Sequence, residues 1–210
     1  MISLVLADGY PSTRAGLRAI LGGVPDIKIV GEAEDGFEVQ RLVEQLRPRI
    51  LLLGLKMPGP RPAEIENWVR NHCPETVTLV LTAHGRDADL SNMMDAGVSG
   101  YLMKNESSER LIDAIRRAAQ GEKLFTEEQY ARVFNWRESV GNKFENLTKR
   151  EREVLQLLVQ GLDNMTIAKS LGVSPKTIAQ HVTNLLGKLD VNSRLEAVAW
   201  VNKYLSDNLE

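Results

Sequence analysis

Asp8, Thr82 and Lys104 each end a short apolar run of the sequence. A carboxylate, a hydroxyl and an ammonium group gathered at one place would form a crevice able to bind a small metabolite. Another run of the same kind, within residues 49–60, ends at Gly54 and is followed by a Lys-Met-Pro-Gly turn. Gly54 has no side chain, so a strand that is placed to present a functional group presents none.

The apolar runs alternate with amphipathic segments from residue 2 to about residue 122. Five strands alternating with five helices predict an α/β fold with a doubly wound, five-stranded parallel sheet. The runs are apolar on both faces, which is typical of strands covered by helices on both sides of the sheet. Functional groups in such folds gather at the carboxyl ends of the strands. Five residues are therefore predicted to lie along one edge: Asp8, Ala33, Gly54, Thr82 and Lys104.

The composition limits the classes of protein to which the chain can belong. Its 210 residues exceed the usual size of one domain, so two compact domains are expected. A net charge of −2, from 26 basic and 28 acidic residues, argues against a polybasic nucleic-acid coat or a membrane-surface protein. The single cysteine, Cys73, cannot form an internal disulfide, and no signal segment or membrane-length apolar stretch occurs. We therefore expect a cytoplasmic protein that does not bind membranes.

Motifs for metals, nucleotides and catalysis are missing from the sequence. His72, Cys73 and His84 do not have the spacing of a recognised metal site. Neither a G-x-G-x-x-G nor a G-x-x-x-x-G-K-[ST] phosphate-binding motif occurs. The predicted edge also lacks a nucleophile paired with a base. We expect no enzyme activity, no catalytic residue, no metal and no cofactor.

The second part of the chain is predicted to form a separate all-α domain. Residues 1–122 form the first domain, residues 123–146 are a polar linker with a short helix, and residues 147–210 form four helices. Two pairs of residues in this last segment have the capping-box spacing that marks a helix start: Thr148 with Glu151, and Ser193 with Glu196.

A short helix at about 164–171 and a longer one at about 175–189 flank a Gly-Val-Ser turn. The longer helix has an apolar stripe that is predicted to pack inward, formed by Ile178, Val182, Leu185 and Leu189. Its other face carries small or polar side chains that could enter the major groove of DNA: Lys176, Ala179, Gln180, Thr183 and Lys188. A plain helical bundle with a solvated polar face fits this geometry equally well.

Over about sixty residues this domain resembles the LuxR-type helix-turn-helix of the NarL/FixJ subfamily of response regulators. The resemblance rests on the LTKREREVL opening, the IAKSLGVSPKTI centre, the HV…KL spacing and the SRLEAV end. It implies that the second helix of the motif binds double-stranded DNA, with Ala179, Gln180 and Thr183 facing base edges. It also implies that four residues lie near phosphates: Lys176, Thr177, His181 and Lys188.

The groove-facing positions depart from the family pattern, because members often have lysine where Ala179 and Thr183 stand. Gln180 is able to read adenine through a bidentate pair, and the methyl groups of Ala179 and Thr183 are able to contact the thymine methyl group. The base preference is therefore not carried over from the family.

Residues 1–122 resemble the receiver domain of response regulators, a flavodoxin-like fold. In that family two adjacent acids after the first strand hold Mg²⁺, and an aspartate ending the third strand accepts the phosphoryl group. A threonine or serine and a lysine, after the fourth and fifth strands, contact that group. The chain keeps Asp8, Thr82 and Lys104, but Gly9 and Gly54 stand in place of the second acid and the acceptor.

The resemblance therefore implies a degenerate phosphorylation site, formed by Asp8, Gly9, Gly54, Thr82 and Lys104. Glycine offers no carboxylate to phosphorylate, and one carboxylate makes a poor site for Mg²⁺, which requires several oxygen ligands. Lys104 is expected to pair with Asp8, and Tyr101, at the position of the family's switch aromatic, to keep one rotamer. Restoring both acids is expected to recover phosphorylation, because Thr82 and Lys104 remain. A cognate histidine kinase is not an expected partner.

The expected function is that of a transcription regulator that binds specific DNA sequences as a homodimer, independently of aspartate phosphorylation. The last helix supports the homodimer, since it carries more apolar residues than one buried stripe needs: Leu195, Ala197, Val198, Ala199, Trp200, Val201, Tyr204 and Leu205. Packing of this excess within its own domain is the alternative. Two other functions stay open, a sensor of a small molecule and a module that pairs with another regulator.

Overall fold

The computed structural model describes residues 1–204, so Leu205 lies outside the described residues. Backbone contacts divide the chain into two compact units, Met1–Tyr130 and Ala131–Glu210. No helix within residues 1–204 is long and apolar enough to cross a membrane.

The first unit contains a five-stranded, all-parallel sheet. In chain order the strands are β1 (Ile2–Ala7), β2 (Ile27–Ala33), β3 (Ile50–Gly54), β4 (Val77–Thr82) and β5 (Gly100–Met103). Their order in the sheet is β2-β1-β3-β4-β5. The helices between and after them are α1 (Pro11–Leu21), α2 (Gly36–Leu46), α3 (Pro62–His72), α4 (Asp87–Ala96) and α5 (Ser108–Ala119). The prediction of a doubly wound parallel sheet is confirmed.

The strand ends meet along one edge, as the sequence predicted. Ala7 pairs with Ala33 on one side and with Leu53 on the other, and Thr82 pairs with Met103. All five residues of the central strand β3 are buried, because helices cover both faces of the sheet. Each strand therefore delivers the residue at its carboxyl end to the same crevice.

The second unit is helical. The chain continues through α6 (Glu127–Trp136), a π-helical turn (Arg137–Gly141), α7 (Asn142–Glu145), α8 (Lys149–Val159), α9 (Asn164–Leu171), α10 (Pro175–Leu189) and α11 (Arg194–Tyr204). The helix α6 begins before the division between the units and ends after it. The predicted helices of the last segment are confirmed as α8 to α11, with α9 and α10 forming the helix-turn-helix.

The segment 123–146 is more helical than its polar composition indicated. Thr126 and Gln129 form a reciprocal cap, in which each side chain accepts a hydrogen bond of 3.1 Å from the other residue's backbone N–H. This cap satisfies backbone donors at the start of α6 and explains why the helix forms there. Thr148 and Glu151 form the predicted capping box. The Ser193 hydroxyl accepts from the backbone N–H of Glu196 as predicted, whereas the Glu196 side chain accepts from the backbone N–H of Asn192 rather than that of Ser193.

Candidate functional site

The Asp8 carboxylate lies at the carboxyl end of β1 and is only 2 % exposed. Its Oδ2 lies 2.5 Å from Lys104 Nζ, and its Oδ1 accepts a hydrogen bond of 2.9 Å from the backbone N–H of Tyr10. The Lys104 ammonium also lies 5.4 Å from the centroid of the Tyr10 ring. The predicted ion pair between Asp8 and Lys104 is therefore confirmed, and it ties the end of β1 to the residue after β5.

Asp8 also fills the space in front of Gly54. A Cβ atom added to Gly54 would lie 2.6 Å from Asp8 Oδ2 and 3.1 Å from the carbonyl oxygen of Ala7. Both distances are shorter than ordinary van der Waals contacts. The missing side chain of residue 54 therefore leaves no gap, because the paired Asp8 carboxylate stands where that side chain would begin.

The space where a side chain of residue 9 would begin is occupied by backbone atoms of the loop after β3. A Cβ atom at this position would lie 2.6 Å from the carbonyl oxygen of Lys56 and 3.4 Å from Met57 Cα. A second acid at residue 9 therefore requires the loop after β3 to move. Restoring both acids is therefore expected to recover measurable but limited phosphorylation.

The residues at this edge do not fit the Mg²⁺ ion of receiver domains. The Asp8 carboxylate is engaged by Lys104, and no group of three or more His, Cys, Asp or Glu side chains within residues 1–204 is arranged to hold a metal. Mg²⁺ prefers several oxygen ligands in an octahedral array, and a single carboxylate that is already paired does not supply them.

Thr82 and Tyr101 are both engaged with the loop after β4. The Thr82 hydroxyl donates to the carbonyl oxygen of His84 over 3.1 Å and accepts from the His84 backbone N–H over 3.2 Å. The buried Tyr101 side chain donates from its hydroxyl to the same carbonyl over 3.4 Å. Thr82 is therefore turned back onto its own loop, and Tyr101 is held inside the structure.

The helix α10 presents the predicted groove-facing residues to solvent. Ile178, Leu185 and Leu189 are buried, as the apolar stripe predicted, while Val182 is half-buried. His181 is half-buried, and the other six residues assigned to DNA are exposed: Lys176, Thr177, Ala179, Gln180, Thr183 and Lys188. The Ser174 hydroxyl caps the helix by accepting from the Thr177 backbone N–H over 3.1 Å.

Two hydrogen bonds orient polar groups on the exposed face of α10. Gln180 Nε2 donates to Asn184 Oδ1 over 3.0 Å, which uses one of its two hydrogens. The Thr183 hydroxyl donates to the carbonyl oxygen of Ala179 over 3.1 Å. Gln180 therefore keeps one N–H and its Oε1 for a partner, and Thr183 keeps its methyl group. The role of Asn184 was not predicted from the sequence, although its spacing of four residues from Gln180 is a usable signal.

Lys188 has a partner within its own unit. Its Nζ lies 2.8 Å from Oε2 of Glu151, which is 3 % exposed, and the same oxygen accepts from the Thr148 backbone N–H over 2.8 Å. Burial raises the pKa of Glu151, but the hydrogen bonds from Lys188 and Thr148 outweigh burial and leave this pKa below its usual value. Lys188 therefore joins α10 to α8, a contact that sequence reasoning missed.

Two family descriptions match these two units. Residues 4–116 match the response regulator receiver domain, and residues 145–201 match the luxR family of bacterial regulatory proteins. The chain belongs to the LuxR-type response regulators. The NarL/FixJ resemblance inferred from the sequence is thereby confirmed, and the protein is a DNA-binding response regulator.

Individual relatives agree with this assignment over nearly the whole chain. The chain is 34% identical over 206 residues to the transcriptional regulatory protein LiaR of Bacillus subtilis, covering 97% of this chain and 98% of that one. It is 31% identical over 199 residues to the response regulator protein VraR of Staphylococcus aureus, covering 95% of each.

The chain also aligns over nearly its whole length with solved structures of RcsB from Salmonella enterica serovar Typhimurium. RcsB bound to the promoter rprA, in the presence of the phosphomimetic BeF₃⁻, aligns with a TM-score of 0.63 and 26% identity over 96% of this chain and 99% of that chain. A further structure of the same response regulator aligns with a TM-score of 0.66 and 25% identity over 96% of this chain and all of that chain.

Proposed function

We propose that this response regulator binds specific DNA sequences and controls transcription without aspartate phosphorylation. The observation that supports the proposal is the Asp8 carboxylate, which is paired with Lys104 and stands in the space of a side chain at Gly54. The proposed functional parts are a pseudo-receiver at 1–122, a linker at 123–146 and a DNA-binding domain at 147–210. No cognate histidine kinase is required.

The ion pair between Asp8 and Lys104 gives the lysine an anionic partner without phosphorylation. By its resemblance to the family, the lysine after the fifth strand contacts the phosphoryl group once the acceptor is modified. Here Lys104 already has an anion at 2.5 Å, supplied by the chain itself. We infer that the pair fixes the loop after β5 in one arrangement, so that the receiver does not need a phosphoryl group to hold it.

Genomic footprinting of the unmodified protein tests the proposed function. We expect bound regions that share one sequence element in the absence of any phosphodonor. Footprints that form only after treatment with a phosphodonor would contradict phosphorylation independence. The absence of footprints under both conditions would contradict sequence-specific binding.

We propose that α10 reads DNA with its exposed face. Ala179, Gln180 and Thr183 are assigned to base edges, and Lys176, Thr177 and His181 to phosphates. The hydrogen bond to Asn184 leaves Gln180 with the one N–H and one oxygen that a bidentate pair with adenine requires. Lys188 is assigned a structural role in place of a phosphate contact, because its charge is balanced by Glu151.

Gln180→Ala is expected to weaken binding to the best site by about 1–3 kcal/mol and to relax the preference at one base pair. Lys176→Ala is the matched comparison, because loss of a phosphate contact weakens all sequences about equally and lowers the salt dependence. Fluorescence anisotropy titrations on the site and on its single-base-pair variants measure both effects.

Asn184→Ala removes the acceptor that orients the Gln180 amide. It is expected to reduce the preference at the same base pair as Gln180→Ala, and the two changes combined are expected to be less than additive. Equal losses on every sequence from Gln180→Ala and Lys176→Ala would show that the exposed face of α10 is assigned wrongly.

We propose that α11 supplies the contact of a homodimer. Ala197 and Val201 are its buried residues, whereas Leu195 is 80 % exposed and Trp200 is half-buried against Tyr204, with ring centroids 5.5 Å apart. Packing within its own unit therefore covers part of the apolar surface of α11 and leaves the rest half-buried or exposed. An apolar helix face of this kind suits a second copy of the same helix in a two-fold dimer.

Trp200→Glu is expected to convert the dimer to a monomer, because an unpaired charge in an apolar contact is costly. Sedimentation velocity measures the association, and gel shifts on two half-sites measure the loss of DNA affinity that follows. Gln160→Glu adds the same charge at the exposed residue that follows α8 and is expected to change neither result. A Trp200→Glu protein that remains dimeric with unchanged affinity would show that α11 is not the contact.

The small-molecule alternative is not favoured by the geometry. The side chains of Asp8, Thr82 and Lys104, which were its candidate ligands, are engaged with one another or with His84. A pocket beside Lys104 has a volume of about 40 Å³, well below the 300–1,000 Å³ that is typical of metabolite sites.

A further inference from the structure

Glu66 is a buried carboxyl group away from the degenerate phosphorylation site. It lies on α3, is 3 % exposed, and is close to Thr78 at the start of β4. Neither Glu66 Oε2 nor the Thr78 hydroxyl has a hydrogen-bond partner within residues 1–204. Since buried polar groups are nearly always paired, an unpaired carboxyl oxygen in a core requires an explanation. A bound proton is the simplest one, because it removes the charge that burial disfavours.

Two cations act electrostatically on Glu66, one from its own helix and one from another segment. Arg70 is one turn further along α3 and donates from Nη1 to the Ala96 carbonyl over 3.2 Å. Lys123 follows α5 and donates from Nζ to the carbonyls of Gly97 and Val98, over 2.8 and 2.9 Å. Both cations therefore donate to carbonyl groups at the end of α4 or just after it, and neither is directly bonded to Glu66.

Burial raises the pKa of Glu66 to about 7, against the opposing effect of the Arg70 and Lys123 charges. Burial likewise lowers the pKa of Lys123, with the Arg70 charge acting in the same direction and Glu66 against it. The charges of the Glu66 carboxyl group and the Lys123 ammonium group therefore influence each other. Glu66 is expected to gain or lose its proton near neutral pH.

Lys123 also helps to attach the segment 123–129 to β5 and to the turn that precedes it. The backbone N–H of Leu124 donates to the Ser99 carbonyl over 2.6 Å, and Gln129 Nε2 donates to the Tyr101 carbonyl over 2.8 Å. These contacts and the Lys123 bonds all lie within the first unit. The segment they hold is the start of the chain that leads to the DNA-binding domain.

We propose that Glu66 is a proton-binding site whose charge controls how firmly Lys123 holds the segment 123–129 to the turn between α4 and β5. With a proton bound, Glu66 is neutral and Lys123 keeps its bonds to Gly97 and Val98. When the proton leaves to solvent, the carboxylate attracts Lys123 and Arg70 and weakens their hold on the carbonyls. The proposal does not depend on DNA binding.

A ¹³C NMR titration of the glutamate carboxyl groups in the full chain measures the site directly. We expect the Glu66 signal to titrate with a midpoint near 7, compared with about 4.3 for an unperturbed glutamate. A Glu66 midpoint near 4.3 would overturn the proposal without the use of any variant.

Hydrogen–deuterium exchange between pH 5.5 and 8.5, corrected for intrinsic exchange rates, measures the consequence. The Leu124 amide is expected to lose protection as the pH rises through the Glu66 midpoint. Glu66→Gln, which is permanently neutral, should keep full protection across this range. Glu64→Gln, on the exposed side of the same helix, should retain the wild-type pH dependence, since glutamine also serves in a capping box. A pH dependence that persists in Glu66→Gln would show that Glu66 does not control the segment.

Discussion

Acetyl phosphate with Mg²⁺ is expected to leave both the mass of the wild-type protein and its affinity for DNA unchanged. Phosphoryl transfer to a receiver requires a carboxylate nucleophile and a metal that neutralises the charge on the transferred group. Gly54 supplies no nucleophile, and the Asp8 carboxylate is held by Lys104 rather than left open to a metal. Intact-protein mass spectrometry measures labelling, and anisotropy on the operator measures affinity.

Gly54→Asp alone is expected to remain unlabelled and to melt at a lower temperature than the wild type. The new Cβ would lie 2.6 Å from Asp8 Oδ2, so Asp8 must turn away and lose its ion pair with Lys104. The restored nucleophile would then lack a metal site. Gly23→Asp is the matched control, because a Cβ atom there meets nothing within 4 Å.

Adding Gly9→Asp to Gly54→Asp is expected to give only a small labelled fraction, which depends on Mg²⁺. The second acid supplies another oxygen ligand, but its Cβ would lie 2.6 Å from the Lys56 carbonyl, so the loop after β3 must first move. Full labelling of Gly54→Asp with Gly9 unchanged, or acid-labile phosphate on the wild type, would refute this account of the receiver.

The sequence predicts the sheet and its functional edge because both depend on local pattern. Apolar runs alternating with amphipathic segments leave few arrangements other than a parallel sheet, and the residue after each run must lie at the carboxyl edge. The loss of the acceptor at Gly54 is equally visible. The sequence does not show that the Asp8 carboxylate fills the space beside Gly54. The position of this carboxylate depends on Lys104, which is 96 residues away in the chain and meets Asp8 only in the folded sheet.

The burial of Glu66 and Glu151 also could not be predicted from the sequence. A glutamate within an amphipathic helix is ordinarily taken as solvent-exposed, because glutamate is seldom buried without a partner. Both residues are 3 % exposed, which depends on how their helices pack. The Thr126–Gln129 cap is different, since its spacing was present in the sequence and the polar composition of the linker concealed it.

Lys188→Ala is expected to destabilise the second unit by about 2 kcal/mol. Loss of the ammonium leaves Glu151 buried and charged, which is costly, although the 36% exposure of the Lys188 side chain makes the penalty smaller than for a fully buried pair. Lys188→Arg retains the charge and is expected to lose less stability. Lys169→Ala, at an exposed position on α9, is expected to have little effect. Urea denaturation followed by circular dichroism measures the three changes.

The pH dependence of unfolding separates an ion pair from a simple packing contact. In the wild type the pKa of Glu151 is lowered, so its contribution to stability is present above the unfolded value and is lost as the pH falls through the folded value. In Lys188→Ala the hydrogen bond and charge of Lys188 no longer oppose the effect of burial, so the pKa of Glu151 is expected to rise. The variant should therefore lose less stability than the wild type on acidification between pH 6 and pH 4.

DNA binding by Lys188→Ala then decides between the structural role and a phosphate contact. An ammonium that is already neutralised by Glu151 at 2.8 Å releases few counterions from DNA, so the salt dependence of binding is expected to stay unchanged once the folded fraction is taken into account. A slope of log affinity against log salt that falls by about 1 would instead assign Lys188 to a phosphate. In that case the ion pair between Lys188 and Glu151 would have to break when DNA binds, and the buried Glu151 carboxylate would lose its charged partner.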